Sequence, residues 1–422
     1  MSATPVLVAA AGAGWEAAAL ARLDRAPEVA LARRCVDLTD LLAAAGVGLG
    51  TVAVVDSGLP GLDADALAGL RRCGVGVVVV AAPDELDDGD VGRLRRLGAD
   101  HLLVETELDA LVTTVREAGE GLGPSPSAVP DDVAGLGRAA PARPHGRLLA
   151  VWGPTGAPGR TTVAVGLATG LAGSGDVLLV DADPYGGAVA QHLGVLEEVS
   201  GLLAAARAAN TGQLGPDRLA GLARQIGPGL RVLTGLPRPD RWQEVRPAAY
   251  ADLLDEAAGL ADHVVLDLGF SLETQPGDPF GSTPQRNEMT LAALERADEV
   301  VVVGSADPVG LSRLARGLVE LSELVPGVRP RVVVNRTRAS LGWSDRDVRG
   351  MVEGFVRPLD VHFLPDDRVA ADRAVMTGRS LAEGGESPLL EAVTALVAAI
   401  LGGRPATASR RRFRPRGAGR AR

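Results

Sequence analysis

Residues 151–172 read VWGPTGAPGRTTVAVGLATGLA, and this stretch decides the fold of the second half of the chain. An apolar run is followed by a turn rich in Gly and Pro, and then by a helical pattern. A turn of this kind points backbone N–H groups and a helix N-terminus at an anion. Gly156 and Gly159 permit close backbone approach, while Arg160 and Thr161 can contact phosphate and Mg²⁺. The sequence therefore predicts a phosphate-binding loop.

The loop departs from the common phosphate-loop pattern GxxxxGK[ST] at two positions. Counted back from Thr161, the first glycine is replaced by Pro154 and the lysine by Arg160. An arginine keeps the positive charge and can fork to phosphate oxygens, but it is longer and planar, so the exchange is not conservative. The loop alone is therefore a weak motif.

A second interpretation of the same stretch is a dinucleotide site. Gly153, Gly156 and Gly159 form a GxxGxxG spacing, and Asp181 follows about 20 residues further on, as in dinucleotide-binding folds. A short-chain dehydrogenase is disfavoured because its Tyr-x-x-x-Lys pair cannot exist in a chain that contains no lysine. The residues downstream of the loop decide between the two interpretations.

Polar side chains end three further apolar strands. VLLVDADPYGG, residues 177–187, supplies Asp181 and Asp183, and HVVLDLG, residues 263–269, supplies Asp267. Carboxylates at the carboxyl edge of a parallel sheet suit Mg²⁺ and the positioning of water. VVVNR ends its strand on Asn335, whose amide can both donate to and accept from a purine base.

These motifs resemble the MinD/ParA family of deviant P-loop ATPases over roughly residues 147–402. The segments GPTGAPGRTT, DADPYGG, VVLDLG, VVVNR and FLPDDRVAADRAV occur in the family's order and spacing. The resemblance implies ATP and Mg²⁺ as cofactors and a role for ten residues. It implies that phosphates and Mg²⁺ are bound by Gly156, Gly159, Arg160, Thr161 and Thr162, of which Thr161 is the metal ligand. Asp183 and Asp267 would have catalytic and metal-binding roles. Asn335, Pro365 and Asp366 would contact adenine.

One departure from the family concerns hydrolysis. The family's signature lysine near the start of the loop, which reaches the partner subunit's nucleotide in the dimer, falls on Thr155. We therefore expect a weak ATPase or none. The resemblance also implies a nucleotide-dependent homodimer.

The chain divides into four segments by pattern. Its 422 residues, 46% of them hydrophobic, suffice for two globular domains. Five strand–helix units predict a first α/β domain over residues 1–119, and residues 120–146, rich in Pro, Gly and Ala, read as a linker. Residues 147–403 form the predicted P-loop NTPase domain, and residues 404–422 an Arg-rich tail. The expected fold class is α/β, with two doubly wound parallel-sheet domains.

The first domain resembles a CheY-like response-regulator receiver that cannot be phosphorylated. TVAVVDSGLPG places Asp56 at the phosphoacceptor position. Phosphotransfer also needs an acidic pair, a hydroxyl and a lysine. Ala9 and Ala10 stand where the acidic pair is needed, Ala81 and Ala82 where the hydroxyl is needed, and Glu105 where the lysine is needed. Without a metal cluster or a cation for the acyl phosphate, Asp56 is expected to be inert. We interpret the domain as a pseudo-receiver that docks proteins.

A pseudo-receiver joined to a MinD-like domain is similar to the CpaE/TadZ group, which includes the actinobacterial septum-site-determining (Ssd) type. The resemblance implies an ATP-binding localisation factor that acts with pilus, secretion or divisome proteins. Two alternatives remain open from the sequence. One is a degenerate, nucleotide-free scaffold for protein partners, and the other is a ParA-like DNA-segregation ATPase.

The ends and the composition bear on location. No run of about 18 apolar residues and no signal-peptide pattern occurs, so a cytoplasmic protein is expected. Cys35 and Cys73 have no metal-ligand spacing. The Arg-rich tail holds eight Arg and no acid, although the whole chain has a net charge of −10. Such a tail can bind an anionic membrane surface or DNA, and the sequence does not separate the two.

Overall fold

The structure is a computed structural model that describes residues 3–83, 88–120, 145–195, 199–274 and 285–402. Two α/β units follow one another along the chain, and each is built on its own mainly parallel sheet. The predicted fold class is confirmed. Most of the predicted linker 120–146 and all of the Arg-rich tail 404–422 lie outside the described residues.

Over the part that the structure describes, the first unit alternates five strands with five α-helices. Its strands are β1 (Thr4–Ala9), β2 (Val29–Arg34), β3 (Val52–Asp56), β4 (Gly76–Ala81) and β5 (His101–Val104), and its helices are α1 (Glu16–Arg25), α2 (Leu38–Gly46), α3 (Ala64–Arg72), α4 (Asp88–Leu97) and α5 (Leu111–Glu120). The strands are all parallel, in the order β2-β1-β3-β4-β5. This is a doubly wound order in which β1 and β3 lie on either side of the switch point.

In its described residues, the second unit has an eight-stranded sheet and ten α-helices. Its strands are β6 (Arg147–Trp152), β7 (Val177–Ala182), β8 (Arg224–Gly227), β9 (Leu230–Leu233), β10 (His263–Leu268), β11 (Glu299–Ser305), β12 (Arg331–Thr337) and β13 (Asp360–Pro365). Its helices are α6 (Arg160–Leu171), α7 (Val189–His192), α8 (Gly201–Asn210), α9 (Pro216–Leu222), α10 (Pro247–Leu260), α11 (Glu288–Arg296), α12 (Pro308–Leu324), α13 (Asp345–Glu353), α14 (Arg368–Thr377) and α15 (Pro388–Ile400). The strand order is β13-β12-β11-β6-β10-β7-β9-β8.

The central strands are apolar along their whole length because helices cover both faces of the sheet. Every residue of β7 and β11 is buried, and β6 and β10 are buried apart from their first residues. Parallel sheets need this double cover, so their strands read as continuous hydrophobic runs. Strand β6 lies between β10 and β11, so the phosphate loop leaves the sheet at its middle.

Two strands of the second unit are not anticipated by the sequence. Strand β8, Arg224–Gly227, is exposed or half-buried and pairs antiparallel with β9 at one edge. Strand β13, Asp360–Pro365, forms the other edge and is only partly buried. Edge strands face solvent on one side, so they lack the long apolar run that identifies a central strand.

The two units contact each other through helices. The Asp65 carboxylate of α3 accepts a hydrogen bond from the Ala248 N–H of α10, 3.0 Å away. Arg96 Nε of α4 donates to the Gly212 carbonyl just after α8, at 2.8 Å. The first unit is therefore docked on the helices that cover one face of the second sheet.

Helix length and apolar character decide whether a segment can cross a bilayer. In the residues that the structure describes, no helix combines the length and the apolar character needed to cross a membrane. Helix α15, which is apolar on several sides, packs on α6 at Gly166 and Gly170.

Candidate nucleotide site

The phosphate loop, residues 153–159, connects β6 to α6. Gly156 has a φ of +71° and Gly159 a φ of +93°, a backbone region that only glycine adopts without strain. Gly159 is also the N-cap of α6, and no side chain caps the helix there. The first N–H groups of this twelve-residue helix therefore point towards the end of the loop, as an anion site requires.

Asp267 lies beside the start of α6. It faces Asp181 across the parallel pair β10·β7, at the carboxyl edge of the sheet. The Thr161 hydroxyl donates to Asp267 Oδ2 at 2.7 Å. Its other oxygen, Oδ1, is buried and has no hydrogen-bond partner among the described residues. A buried carboxylate oxygen without a partner is costly, so it marks a place where a cation or donor fits.

Asp181 has a different role from Asp267. Its carboxylate accepts hydrogen bonds from the Val189 N–H at 3.1 Å and the Asp183 N–H at 3.5 Å. Gly187 and Gly235 approach it closely, and neither could carry a Cβ without overlapping the Asp181 side chain. Burial, reinforced by the charge of Asp267, raises the pKa of Asp181. Asp181 therefore holds the chain that follows β7.

Arg160 and Asp183 are close together in the structure. Arg160 Nη1 donates to the Gly153 carbonyl at 3.0 Å, and Nη2 lies 3.7 Å from Asp183 Oδ2. Asp183 Oδ1 accepts from the Tyr185 N–H at 2.9 Å. The guanidinium thus spans from the start of the loop to the acid, and a phosphate would have to share it with both partners.

A cavity of about 380 Å³ lies between Gly159 at the end of the loop and Asn335, and we call it the base-side cavity. Its walls include five of the residues predicted from the sequence, namely Gly159, Thr162, Asn335, Pro365 and Asp366. The ends of β12 and β13 and the first turn of α6 contribute to it. The cavity therefore brings two predicted phosphate residues, Gly159 and Thr162, together with the three predicted adenine residues.

Asn335 is braced against the loop. Its Nδ2 donates to the Pro158 carbonyl at 2.8 Å, and its Oδ1 accepts from the Arg336 N–H at 2.8 Å. A Cβ on Gly159 would overlap Asn335 Nδ2, so only glycine fits there. One N–H and one lone pair of the amide remain for a base. Recognition of adenine by Asn335 stays a prediction.

The donor set suits Mg²⁺ better than a metal held by protein alone. No group of three or more His, Cys, Asp or Glu side chains that could hold a metal occurs in the part of the chain that the structure describes. Mg²⁺ usually takes one or two carboxylates and completes its shell with water and substrate phosphates. Thr161, Asp183 and Asp267 fit that pattern.

Two residues, one at the phosphate loop and one at Asp56 in the first unit, contact a predicted site residue but belong to no sequence motif. Arg313, on α12, lies against Gly156, and Trp15, just before α1, lies against Asp56. Both are distant in sequence from the motif that they contact. No spacing rule connects them to it, so only the packing of the helices shows the contact.

Asp56 lies at the end of β3 in the first unit. The Trp15 indole Nε1 donates to Asp56 Oδ1 at 2.8 Å, and the Gly58 N–H donates to Oδ2 at 3.0 Å. Ala9 and Ala10, which occupy the expected metal-binding positions, are buried and apolar. Both carboxylate oxygens of Asp56 thus have protein donors.

The fold and its phosphate loop define the class: an α/β protein whose second unit is a P-loop NTPase fold. That unit is similar to a ParA family ATPase from Chlorobium tepidum, at 20% identity and a TM-score of 0.50, over 60% of this chain and 97% of that one. Two MinD structures match at a TM-score of 0.48. The cell division ATPase MinD of Pyrococcus furiosus is 19% identical, over 61% of this chain and 99% of that one. The septum site-determining protein MinD of Pyrococcus horikoshii, complexed with Mg-ADP, is 17% identical, over 61% of this chain and 97% of that one. No protein-family model and no curated protein matches the chain. At these identities the likeness shows the fold.

Proposed function

We propose that the second unit binds Mg²⁺-ATP and that the protein is a nucleotide-dependent localisation factor. One observation carries the nucleotide proposal: Asp267 Oδ1 is buried and has no hydrogen-bond partner in the described part of the chain, next to a Thr161 hydroxyl at the uncapped start of α6. The hydroxyl and the carboxylate are oxygen ligands of the kind that Mg²⁺ takes. The free N–H groups of the helix can donate hydrogen bonds to phosphate at the same place.

The proposed roles follow from position. Mg²⁺, when bound, neutralises phosphate charge, and Thr161, Asp183 and Asp267 would hold it. The N–H groups at the start of α6 and the Arg160 guanidinium bind phosphate oxygens. Asn335, with Pro365 and Asp366 across the base-side cavity, orients the base.

Slow hydrolysis or none is part of this proposal. Thr155 is exposed and neutral, so it cannot supply a cation at the start of the loop. Arg160 is shared between Gly153 and Asp183. The nucleotide would then control the pairing of two copies of the chain, and so attachment to a septal, pilus or secretion assembly at the inner face of the membrane. The CpaE-like and pseudo-receiver assignments belong to the same proposal.

The test is thermal unfolding of the full chain with and without Mg-ATP. A ligand that binds only the folded state stabilises it by RT ln(1 + L/Kd), where L is the free ligand concentration, so the unfolding temperature rises with that concentration. The control is the double variant Asp183→Ala, Arg160→Ala, which removes the ion pair and two proposed ligands together. We expect stabilisation in the wild type and none in the variant. No shift at millimolar Mg-ATP would overturn the proposal.

A second candidate, a nucleotide-free scaffold, is favoured by the closed contacts of Arg160. Its guanidinium already has the Gly153 carbonyl and Asp183 as partners without any ligand. In that case both units only bind protein partners. The absence of a nucleotide effect in the unfolding experiment, together with an intact partner interaction, would identify this function.

A further inference from the structure

Arg313 lies directly on the phosphate loop. Its side chain crosses from α12 to Gly156, and a Cβ on that glycine would overlap Arg313 Nη1. Gly156 therefore has two reasons to be glycine, its positive φ of +71° and the close approach of this guanidinium. Among the described residues, Arg313 has no hydrogen-bonded acceptor and no acidic partner, and it is exposed.

The packing of α12 explains why Arg313 reaches the loop. One turn further along the helix, Gly317 lies flat against the start of the loop, and a Cβ there would come within 3.0 Å of both Trp152 and Pro154. Residues four apart on a helix share a face. The contact at Gly317 therefore turns Arg313 towards Gly156.

The loop has two ends, and Arg313 lies at the end away from the base-side cavity. Gly159 and Thr162 line the base-side cavity. Thr155 lines a separate cavity of about 600 Å³ together with Pro154 and Arg313. A nucleotide with its base at Asn335 and its phosphates along the loop would place its last phosphate at the Gly156 end.

We propose that Arg313 contacts the terminal phosphate of a bound nucleoside triphosphate, and that it supplies there, from the same chain, a positive charge that Thr155 lacks. The inference rests on the proposed function and deepens it, because it makes the site selective for triphosphate over diphosphate. Arg160 is held by Gly153 and Asp183, whereas Arg313 has donors to offer.

Arg316 provides a matched control. It is on the same helix, lines the same cavity and carries the same charge. Its Nη2, however, lies 3.5 Å from Ser312 Oγ of its own helix, and no hydrogen bond or ion pair joins it to the described loop residues. A general loss of positive charge is therefore separated from a loss of the Arg313 contact.

The experiment is equilibrium binding of Mg-ATP and Mg-ADP to the full chain by calorimetry, a readout that needs no turnover. Arg313→Ala is expected to weaken ATP binding about tenfold, the usual size of a lost charge-assisted hydrogen bond. ADP binding should change less than about twofold, and Arg316→Ala should leave both affinities within about twofold. Arg313→Lys should recover part of the ATP affinity because it keeps the charge without the fork.

Three results would overturn the inference. Arg313→Ala could leave ATP binding unchanged, could weaken ATP and ADP equally, or could match Arg316→Ala. In each case the wild type still binds nucleotide, so the proposed function survives. A wild-type chain that binds neither nucleotide overturns the proposed function and the inference together.

Discussion

Two strand-end carboxylates, Asp56 and Asp267, occupy similar places in the two sheets but have opposite surroundings. Asp56 ends β3 and accepts one protein hydrogen bond on each oxygen. Asp267, near the end of β10, accepts one from Thr161 and has a second oxygen that is buried without a partner among the described residues. We call the first site closed, because protein donors occupy both carboxylate oxygens. We call the second site open, because one oxygen is left for a ligand.

The difference arises from the chain segment that leaves each neighbouring strand. After β1 the chain places the Trp15 indole on Asp56, and two alanines occupy the positions where acids would hold a metal. After β6 the chain makes the phosphate loop and an uncapped helix. Doubly wound topology puts side chains at the edge of the sheet, but the loop decides whether they can bind anything.

The largest expected effect is at the open site. We expect Asp267→Asn to abolish the stabilisation by Mg-ATP, which at one hundred times the dissociation constant is about 2.7 kcal/mol in the wild type. The unliganded variant should keep its stability within about 1 kcal/mol, because an amide still accepts from Thr161 and no charge is buried. Chemical denaturation with and without Mg-ATP measures both quantities. Full stabilisation in the variant would show that Asp267 is not a ligand.

Gly159→Ala should lower the unfolding free energy by about 2 kcal/mol, because an alanine is strained at this positive φ and its Cβ overlaps Asn335. It should also remove nucleotide binding, because Asn335 is displaced. Gly342→Ala is the matched control. Its φ is +81°, and an added Cβ there meets nothing within 4 Å, so it carries the backbone cost alone. Urea denaturation of both variants gives the comparison. Equal losses would mean that the contact with Asn335 contributes nothing.

At the closed site, Trp15→Phe should lower the unfolding free energy by about 1 kcal/mol, because Asp56 loses one charge-assisted hydrogen bond but remains partly accessible to water. The Mg-ATP stabilisation should be unchanged. Denaturation curves with and without nucleotide check both statements. If the substitution alters the nucleotide effect, the two sites are coupled and the comparison fails.

The smallest expected effect is that of Mg²⁺ alone. Without phosphate oxygens, the carboxylates present should hold the ion weakly, so Mg²⁺ at millimolar concentration should shift the unfolding free energy by less than about 0.5 kcal/mol. Thermal unfolding with and without Mg²⁺, with EDTA as the reference, measures it. A larger shift that persists in Asp267→Asn would place a metal site elsewhere.

The sequence predicts the fold well where the chain is buried on both faces. The apolar runs at β6, β7, β10, β11 and β12 identify a parallel sheet, since only strands covered on both sides are apolar throughout. Motifs that follow such strands share the carboxyl edge of the sheet, so their position at that edge can also be predicted from the sequence. The exposed edge strands β8 and β13 give no comparable pattern.

The contacts between side chains are less predictable. The pairing of Thr161 with Asp267 follows from the loop motif, but the contact of Arg313 with Gly156 depends on how closely α12 packs on Trp152 and Pro154. The cap that Trp15 places on Asp56 likewise depends on the path of the chain after β1. Such contacts are set by tertiary packing, which local sequence patterns do not encode.

The measurement that tests the central claim most directly is equilibrium dialysis of the full chain against labelled Mg-ATP, with Asp267→Asn and Asp56→Asn as a matched pair. Each variant removes one strand-end carboxylate and keeps its shape. We expect one nucleotide per chain for the wild type and for Asp56→Asn, and no saturable binding for Asp267→Asn. Equal binding by both variants, or no binding by the wild type, would contradict the account.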